Sequence, residues 1–204
     1  MASGSFRFKC RSLARPGMGP LLSLLTKKTG SSELALDAIA SVAAAVGLPG
    51  RIEPDEELAG LALCARGESI EAVSKHLGWK DFERFCSSIL RGRGYRVREN
   101  IYLRKPRAQI DVFAMSDRTS LAVDCKHWAR TSGRGALAGL VRAQLVRARR
   151  LHDSLDGTGP IAAVILVMVD PGERFVEGGA VVPIFAFGDF LDNIEAHRRM
   201  LDLV

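Results

Sequence analysis

The nine residues from Ile161 to Val169 are all apolar, and they limit the possible fold more than any other segment. A membrane-spanning helix needs roughly 20 such residues, so the run does not predict a membrane span. Apolar residues on both faces of a Val- and Ile-rich run are typical of a strand that is covered on both sides. With 47% apolar residues, the chain can supply the covering layers. We therefore expect an α/β fold in which helices flank a central sheet.

The order of elements from Trp79 onward agrees with this expectation. A helix with an apolar stripe is predicted first, then three strands, a long helix and the apolar strand, which is an αβββαβ order with a central mixed β-sheet. The predicted elements are a helix over 80–91, strands over 95–103, 108–115 and 120–126, a helix over 136–153, and strands over 161–169 and 181–187. A closing helix is predicted to begin at Asp189 or Asp192 and to reach Leu201.

The region before Trp79 is predicted to be a small all-α segment. Residues 1–30 are basic and free of acids, which suggests a flexible arm, residues 31–78 contain three helical patterns, and residues 79–204 are predicted to form the α/β domain. Gly67 separates two of these patterns with the spacing of a helix-turn-helix. Any short helical hairpin has this spacing, so the segment is either a DNA-reading element or a structural or dimer-forming appendage.

Positive charge is concentrated in one block. Between Arg84 and Arg150 there are 16 Lys and Arg residues but only four acids, whereas the whole chain has a net charge of +6. Such a block suggests a polyanionic partner, most simply a nucleic-acid backbone, although a solvated basic surface is the alternative. The candidate nucleic-acid-binding residues are Arg104, Lys105, Arg107, Arg130, Arg134, Arg142 and Arg147.

The four cysteines are widely spaced and form no zinc-binding motif. This spacing favours a reduced, cytoplasmic protein without disulfides.

Two carboxylates and a lysine are the candidate chemistry of the domain. Strand alternation places Asp124 and Lys126 on the same face, and Asp111 lies in the preceding strand within an otherwise apolar run. If these two strands form a hairpin, Asp111 and Asp124 can meet. Two close carboxylates repel each other unless a proton or a cation separates them, which suggests Mg²⁺. An ordinary exposed ion pair is the alternative for Asp124 and Lys126.

Two helical residues could join this group. Glu83 lies beside the apolar stripe of its helix, where it either leans towards the metal or complements the helix N-terminus. Gln144 interrupts an apolar stripe and must find partners, either a backbone carbonyl or the lysine and a phosphate. By alternation His127 points away from Lys126, so we expect it to be structural. Trp128 is expected to cover the edge of the core.

Four short segments in order resemble a known family. The sequence WKDFERFCSSILRGRGYRVREN is followed by QIDVFAM, by LAVDCKHWAR and by a helix containing Gln144. Together they resemble the Mrr-like branch of the PD-(D/E)xK nuclease superfamily, which includes restriction endonucleases and archaeal Holliday-junction resolvases. The resemblance covers about residues 79–190 and implies a restriction-endonuclease-like core.

The resemblance also implies residue roles. Glu83, Asp111 and Asp124 would be metal ligands, Lys126 the catalytic lysine and Gln144 a catalytic helix glutamine. The implied reaction is cleavage of DNA phosphodiester bonds with Mg²⁺, for which Mn²⁺ could substitute, in defence or repair. The substrate would be double-stranded or branched DNA, and a homodimer could cut both strands. A catalytically silent DNA-binding module and an RNA-processing nuclease are the alternatives.

Overall fold

A mixed six-stranded sheet lies at the centre of the computed structural model, which describes residues 19–45, 55–127, 133–155 and 159–204. The strands are β1 (Arg96–Leu103), β2 (Ala108–Met115), β3 (Ser120–Lys126), β4 (Ile161–Val167), β5 (Phe175–Val176) and β6 (Gly179–Pro183). Their order in the sheet is β1-β2-β3-β4-β6-β5. The first three strands are antiparallel, β3, β4 and β6 are parallel, and β5 is antiparallel to β6.

Helices cover both faces of this sheet. They are α1 (Pro20–Thr29), α2 (Ser32–Ala45), α3 (Glu56–Ala65), α4 (Ile70–Ser74), α5 (Trp79–Gly92), α6 (Arg134–Asp153), α7 (Phe187–Asp192) and α8 (Ile194–His197). The long α6 packs on one face, and α5 packs on the other together with the N-terminal helices and α7. Strand β4 is buried along its whole length. The predicted α/β class, with a central mixed sheet flanked by helices, is therefore confirmed.

The N-terminal helices share one apolar core with the sheet. Leu25 of α1, Leu63 of α3 and Phe85 of α5 are fully buried in the same cluster as Val123 of β3. The buried Ser88 hydroxyl also donates a hydrogen bond to a carboxylate oxygen of Glu57 in α3. The helical region thus packs into the α/β domain as part of a continuous interior.

The expectation of a flexible arm over residues 1–30 is wrong for residues 20–29, which form helix α1. Pro20 occupies its first turn and Gly30 ends it with a left-handed φ of 83°. Leu21 and Leu25 lie one helical turn apart and are both fully buried, so this apolar stripe stabilises the helix. The Glu56 carboxylate accepts hydrogen bonds from the first amides of α1. Residues 1–18 lie outside the described part of the chain.

The predicted helix-turn-helix segment is a helical hairpin of α3 and α4. Gly67 lies in the turn with a φ of 96°, and α4 has only five residues. Gly60 allows the two helices to approach closely, since a side chain there would lie 2.8 Å from Val73 Cγ1. DNA reading by this hairpin stays a prediction.

The predicted strand over residues 181–187 is only partly correct. Strand β6 ends at Pro183, whose nitrogen carries no proton for the sheet. The chain then forms a 3₁₀ turn over Ile184–Ala186 and enters α7. Ile184 and Phe187 are both fully buried with a spacing of three residues, so the apolar run here has helical and not strand periodicity. The closing helix is divided into α7, α8 and a second 3₁₀ turn.

No helix among the described residues has the length and apolarity that crossing a bilayer would require.

Candidate active site

The β2–β3 hairpin brings the two strand aspartates together. Its ladder pairs Ala114 with Leu121 and Val112 with Val123, so one further step would place Asp111 opposite Asp124. At that step a side-chain oxygen takes the place of a backbone acceptor, since Asp111 Oδ2 accepts a hydrogen bond from the Cys125 amide at 2.9 Å. The backbone ladder between the two strands therefore ends beside Asp111 and Asp124.

At the level of Asp111, the regular alternation of side chains between the two faces of the sheet is interrupted in both β1 and β2. Ile110 packs in the cluster beneath α6, whereas Val112 packs in the cluster beneath α5, although residues two apart in a regular strand share a face. On β1, Val97 packs against the cluster beneath α5, whereas Ile101 packs against the cluster beneath α6. Asn100, between them, has a left-handed φ of 54°. Asp111 therefore lies at a coordinated kink of two neighbouring strands.

Asp124 is the most deeply buried acid of the group, with 4% of its surface exposed. Lys126 Nζ lies 2.7 Å from its Oδ2, and Arg147 Nη1 lies 3.3 Å from its Oδ1. The lysine contact is an ion pair without hydrogen-bond geometry, so the buried Oδ2 accepts no directed hydrogen bond. Asp124 and Lys126 share one strand face, as the sequence predicts, and the structure shows that this face packs against α6.

Glu83 of α5 lies within electrostatic reach of both aspartates. Burial raises the pKa of its carboxyl from 4.5 to about 7, and the charges of Asp111 and Asp124 contribute to the increase. Burial likewise raises the pKa of Asp111. The hydrogen bond from the Cys125 amide lowers this pKa, whereas the charge of Asp124 raises it further. Glu83, Asp111 and Asp124 are thus close enough for their negative charges to oppose one another's ionisation.

Gln144 is fully buried on the opposite helix, α6. Its Nε2 donates to the Ala122 carbonyl at 2.9 Å, and its Oε1 accepts a hydrogen bond from Arg147 at 3.0 Å. The amide therefore joins strand β3 to the guanidinium that contacts Asp124. Arg147 was predicted to face outward towards phosphate, but it is half-buried because α6 docks with this residue over the end of β3.

The donor chemistry of the group fits a divalent cation. Carboxylate oxygens are its preferred ligands, and the buried Asp124 Oδ2 has the Lys126 ammonium, 2.7 Å away, as its charged partner. Asp111 and Asp124 are the residues best placed to hold such an ion. Across residues 19–45, 55–127, 133–155 and 159–204, however, no cluster of three or more His, Cys, Asp or Glu side chains has metal-binding geometry. Glu83 is near the pair but does not complete a three-ligand set.

The other described candidate residues lie just after β3, at the β1–β2 turn and along α6. His127 Nε2 lies 3.3 Å from the Ser74 carbonyl and its ring meets Phe82 edge-on, an environment that suits a structural role. Arg104, Lys105 and Arg107 are exposed at the β1–β2 turn, and Arg134 and Arg142 pair with acids of the β4–β6 region. Trp128 and Arg130 lie outside the described residues.

Replacement of Glu83 by Gln is expected to stabilise the metal-free protein near pH 8. The folded pKa of about 7 exceeds the ordinary 4.5, so the stability linked to this carboxyl is present below pH 4.5 and is lost as the pH rises through 7. Because the side chain is partly exposed, we expect a gain of at most about 1 kcal/mol. Urea unfolding at pH 5 and pH 8 in EDTA measures it.

The matched control is Glu33→Gln, which removes an exposed carboxylate from the first turn of α2. For Glu33→Gln, the difference in unfolding free energy between pH 5 and pH 8 should equal that of the wild type. An unchanged difference in Glu83→Gln would contradict the electrostatic coupling.

Comparisons with known proteins identify the central segment. A family model for the Mrr catalytic domain, described as a restriction endonuclease, matches residues 74–151, which include Glu83, both aspartates, Lys126 and Gln144. A search of curated proteins finds no match. A crystal structure titled as a protein of unknown function, AF1548, is 16% identical over 44% of this chain and 46% of that chain, with a TM-score of 0.34. The chain thus spans less than half the length of that structure. The comparisons do not reach the archaeal resolvase branch, which stays a prediction. Residues 74–151 therefore match the Mrr catalytic domain of restriction endonucleases, which belongs to the PD-(D/E)xK superfamily.

Proposed function

We propose that the protein is a metal-dependent endonuclease that hydrolyses phosphodiester bonds of DNA. The observation that carries this proposal is the meeting of Asp111 and Asp124 at the opened end of the β2–β3 ladder, with Lys126 Nζ 2.7 Å from Asp124. The group lies inside the segment that matches the nuclease family. A site of this composition can bind a divalent cation and a phosphate side by side.

Each residue has a defined contribution in this proposal. Asp111 and Asp124 would hold Mg²⁺, or Mn²⁺ in its place, and such an ion supplies an activated water and neutralises phosphate charge. Lys126 places a positive charge at the same point, where it would stabilise the developing negative charge of the phosphate. Gln144 holds Arg147 against Asp124, which fixes the orientation of the carboxylate. Glu83 would accept a hydrogen bond from a water molecule near the pair.

Incubation of the purified protein with supercoiled, linear and branched DNA tests the proposal. We expect cleavage in Mg²⁺ or Mn²⁺ and none in EDTA, with 5′-phosphate ends. DNA binding without cleavage of any substrate would overturn it in favour of a silent binding module. Cleavage of RNA alone would identify an RNA-processing enzyme.

The protein is also proposed to form a homodimer, which could cut both DNA strands in defence or repair. Light scattering of the protein with and without DNA would test this oligomeric state.

The β1–β2 turn is proposed to contact the DNA backbone. Arg104, Lys105 and Arg107 are exposed there, and none of them forms an ion pair with another described residue. Arg150 anchors the turn from α6, since its guanidinium donates to the carbonyls of Arg104 and Pro106 at 3.0 and 2.6 Å. The three cations are therefore presented on a fixed backbone.

Replacement of all three cations by Gln is expected to weaken DNA binding and to reduce its salt dependence. Each phosphate contact contributes about 0.9 to the slope of log Kd against log salt, so the slope should fall by up to about 3. Fluorescence anisotropy with a labelled duplex in EDTA measures it. Arg96→Gln, at the far end of β1, is the matched control and should change the slope little. An unchanged slope in the triple variant would remove the turn from the interface.

A further inference from the structure

A groove of about 760 Å³ opens between the first turn of α5 and the outer edge of the sheet at β1 and β2. Glu83 and Asp111 line its inner side, so the groove begins at the proposed catalytic centre. Trp79 and Tyr102 line it as well. An occupant of this groove would therefore lie next to Asp111, one of the two proposed metal-binding residues.

The two aromatic side chains are unusually exposed. Trp79 has 59% of its surface exposed and Tyr102 has 61%, while the second tyrosine of the chain, Tyr95, is half-buried. Exposure of a large aromatic ring forfeits the favourable free energy of its burial. Two such rings in one groove are typical of a surface that stacks on planar ligands.

The charges in the groove favour a base over a phosphate. Arg84 is paired with Asp81, and Glu99 is paired with Arg91, so these four charges compensate one another. The acids left in the groove are Glu83 and Asp111, which without a bound cation would repel a phosphate but not a neutral base. Lys80 Nζ lies 5.3 Å from the centre of the Trp79 ring, where it could contact the phosphate of a nucleotide stacked on that ring.

Side-chain amides add hydrogen-bonding groups to the same groove. Gln109 Nε2 donates to Asn100 Oδ1 at 3.0 Å across β1 and β2, and both side chains line the groove. An amide presents donors and acceptors that match the edge of a base. The groove thus combines stacking surfaces with groups that can bond a base edge.

We propose that this groove binds an unpaired base of the DNA substrate against Trp79 and Tyr102, so that cleavage occurs beside a single-stranded nucleotide at a branch, flap or end. The location of the scissile phosphate rests on the proposed nuclease function. The base site itself rests on the groove and its aromatic residues, and it can be tested without catalysis.

Tryptophan fluorescence tests the base site directly. In a Trp128→Phe background Trp79 is the sole tryptophan of the chain. Titration with a short oligothymidylate in EDTA should quench its emission. Tyr102→Ala should raise Kd roughly 5- to 100-fold, because stacking on one aromatic residue contributes that much. Phe185→Ala, which removes an exposed aromatic residue elsewhere, should leave Kd unchanged. Absence of quenching, an equal Kd in Tyr102→Ala, or tighter binding of oligouridylate would overturn the proposal.

Cleavage assays separate this inference from the proposed function. Trp79→Ala should lower cleavage of a flap substrate at least about 5-fold more than cleavage of continuous duplex, and Trp79→Phe should restore most of the difference because it keeps a stacking ring. Equal losses on both substrates would overturn the base site and leave the nuclease assignment intact. If the wild type cuts no DNA, the nuclease proposal fails, while quenching of Trp79 in EDTA still decides whether the groove binds a base.

Discussion

Replacement of Asp111 by Ala, or of Lys126 by Ala, is expected to lower DNA cleavage at least about 100-fold, since loss of one electrostatic group in a catalytic site costs roughly that much. Asp111→Ala would remove a proposed metal ligand and the acceptor of the hydrogen bond from the Cys125 amide. Lys126→Ala removes the ion pair with the buried Asp124 carboxylate. Initial rates of plasmid nicking in Mg²⁺ measure both changes.

The matched control is Asp117→Asn in the turn between β2 and β3. Its side chain is fully exposed and lies on the same hairpin at the end away from Asp124. We expect wild-type rates for this variant. Cleavage that survives both Asp111→Ala and Lys126→Ala would show that the site has been assigned to the wrong residues.

Folding integrity must be separated from catalysis in these variants. Asp111→Asn retains an acceptor for the Cys125 amide, so its unfolding free energy should stay close to that of the wild type while its cleavage is lost. A variant that is inactive but folded, with unchanged DNA affinity in EDTA, would place the defect in the chemical step.

Replacement of Leu25 by Ala is expected to destabilise the whole protein by about 2–5 kcal/mol. Leu25 is fully buried in the cluster that also contains Phe85 of α5 and Val123 of β3. The cavity that Leu25→Ala would create therefore lies in the interior that α1 shares with the α/β domain. The midpoint of urea unfolding, followed by circular dichroism, measures the effect.

Leu34→Ala provides the comparison, because Leu34 lies on neighbouring α2 with 53% of its surface exposed. Its effect should stay within about 0.5 kcal/mol. If Leu25→Ala unfolds with the wild-type midpoint, helix α1 does not belong to the core. A second, separate unfolding transition would show that the helical region folds independently of the sheet.

The sequence predicts the centre of the site because strand geometry has a fixed period. Alternation places Asp124 and Lys126 on one face, and a short turn requires β2 and β3 to be neighbours, which brings Asp111 near Asp124. These relations depend on local residues alone. The apolar run at β4 similarly predicts a strand covered on both faces.

Relations that depend on tertiary packing could not be predicted in this way. The contact of Arg147 with Asp124 requires the docking of α6 on the sheet, and Arg147 has the same sequence environment as the exposed arginines around it. The kink at Asp111 depends on the left-handed backbone of Asn100 in another strand. Helix α1 could have been found from its leucine spacing, but the absence of acids suggested a flexible arm.

Two arginines of α6, Arg147 and Arg150, link the proposed DNA contact to the proposed catalytic centre. Arg150 holds the backbone of the β1–β2 turn, and Arg147 holds Asp124. They are three residues apart on one helix, which corresponds to about 4.5 Å along its axis. The helix therefore fixes the distance between the two contacts. A shift of the turn that carried α6 with it would also displace the guanidinium beside Asp124, so the spacing from bound backbone to scissile phosphate is built into a single rigid element.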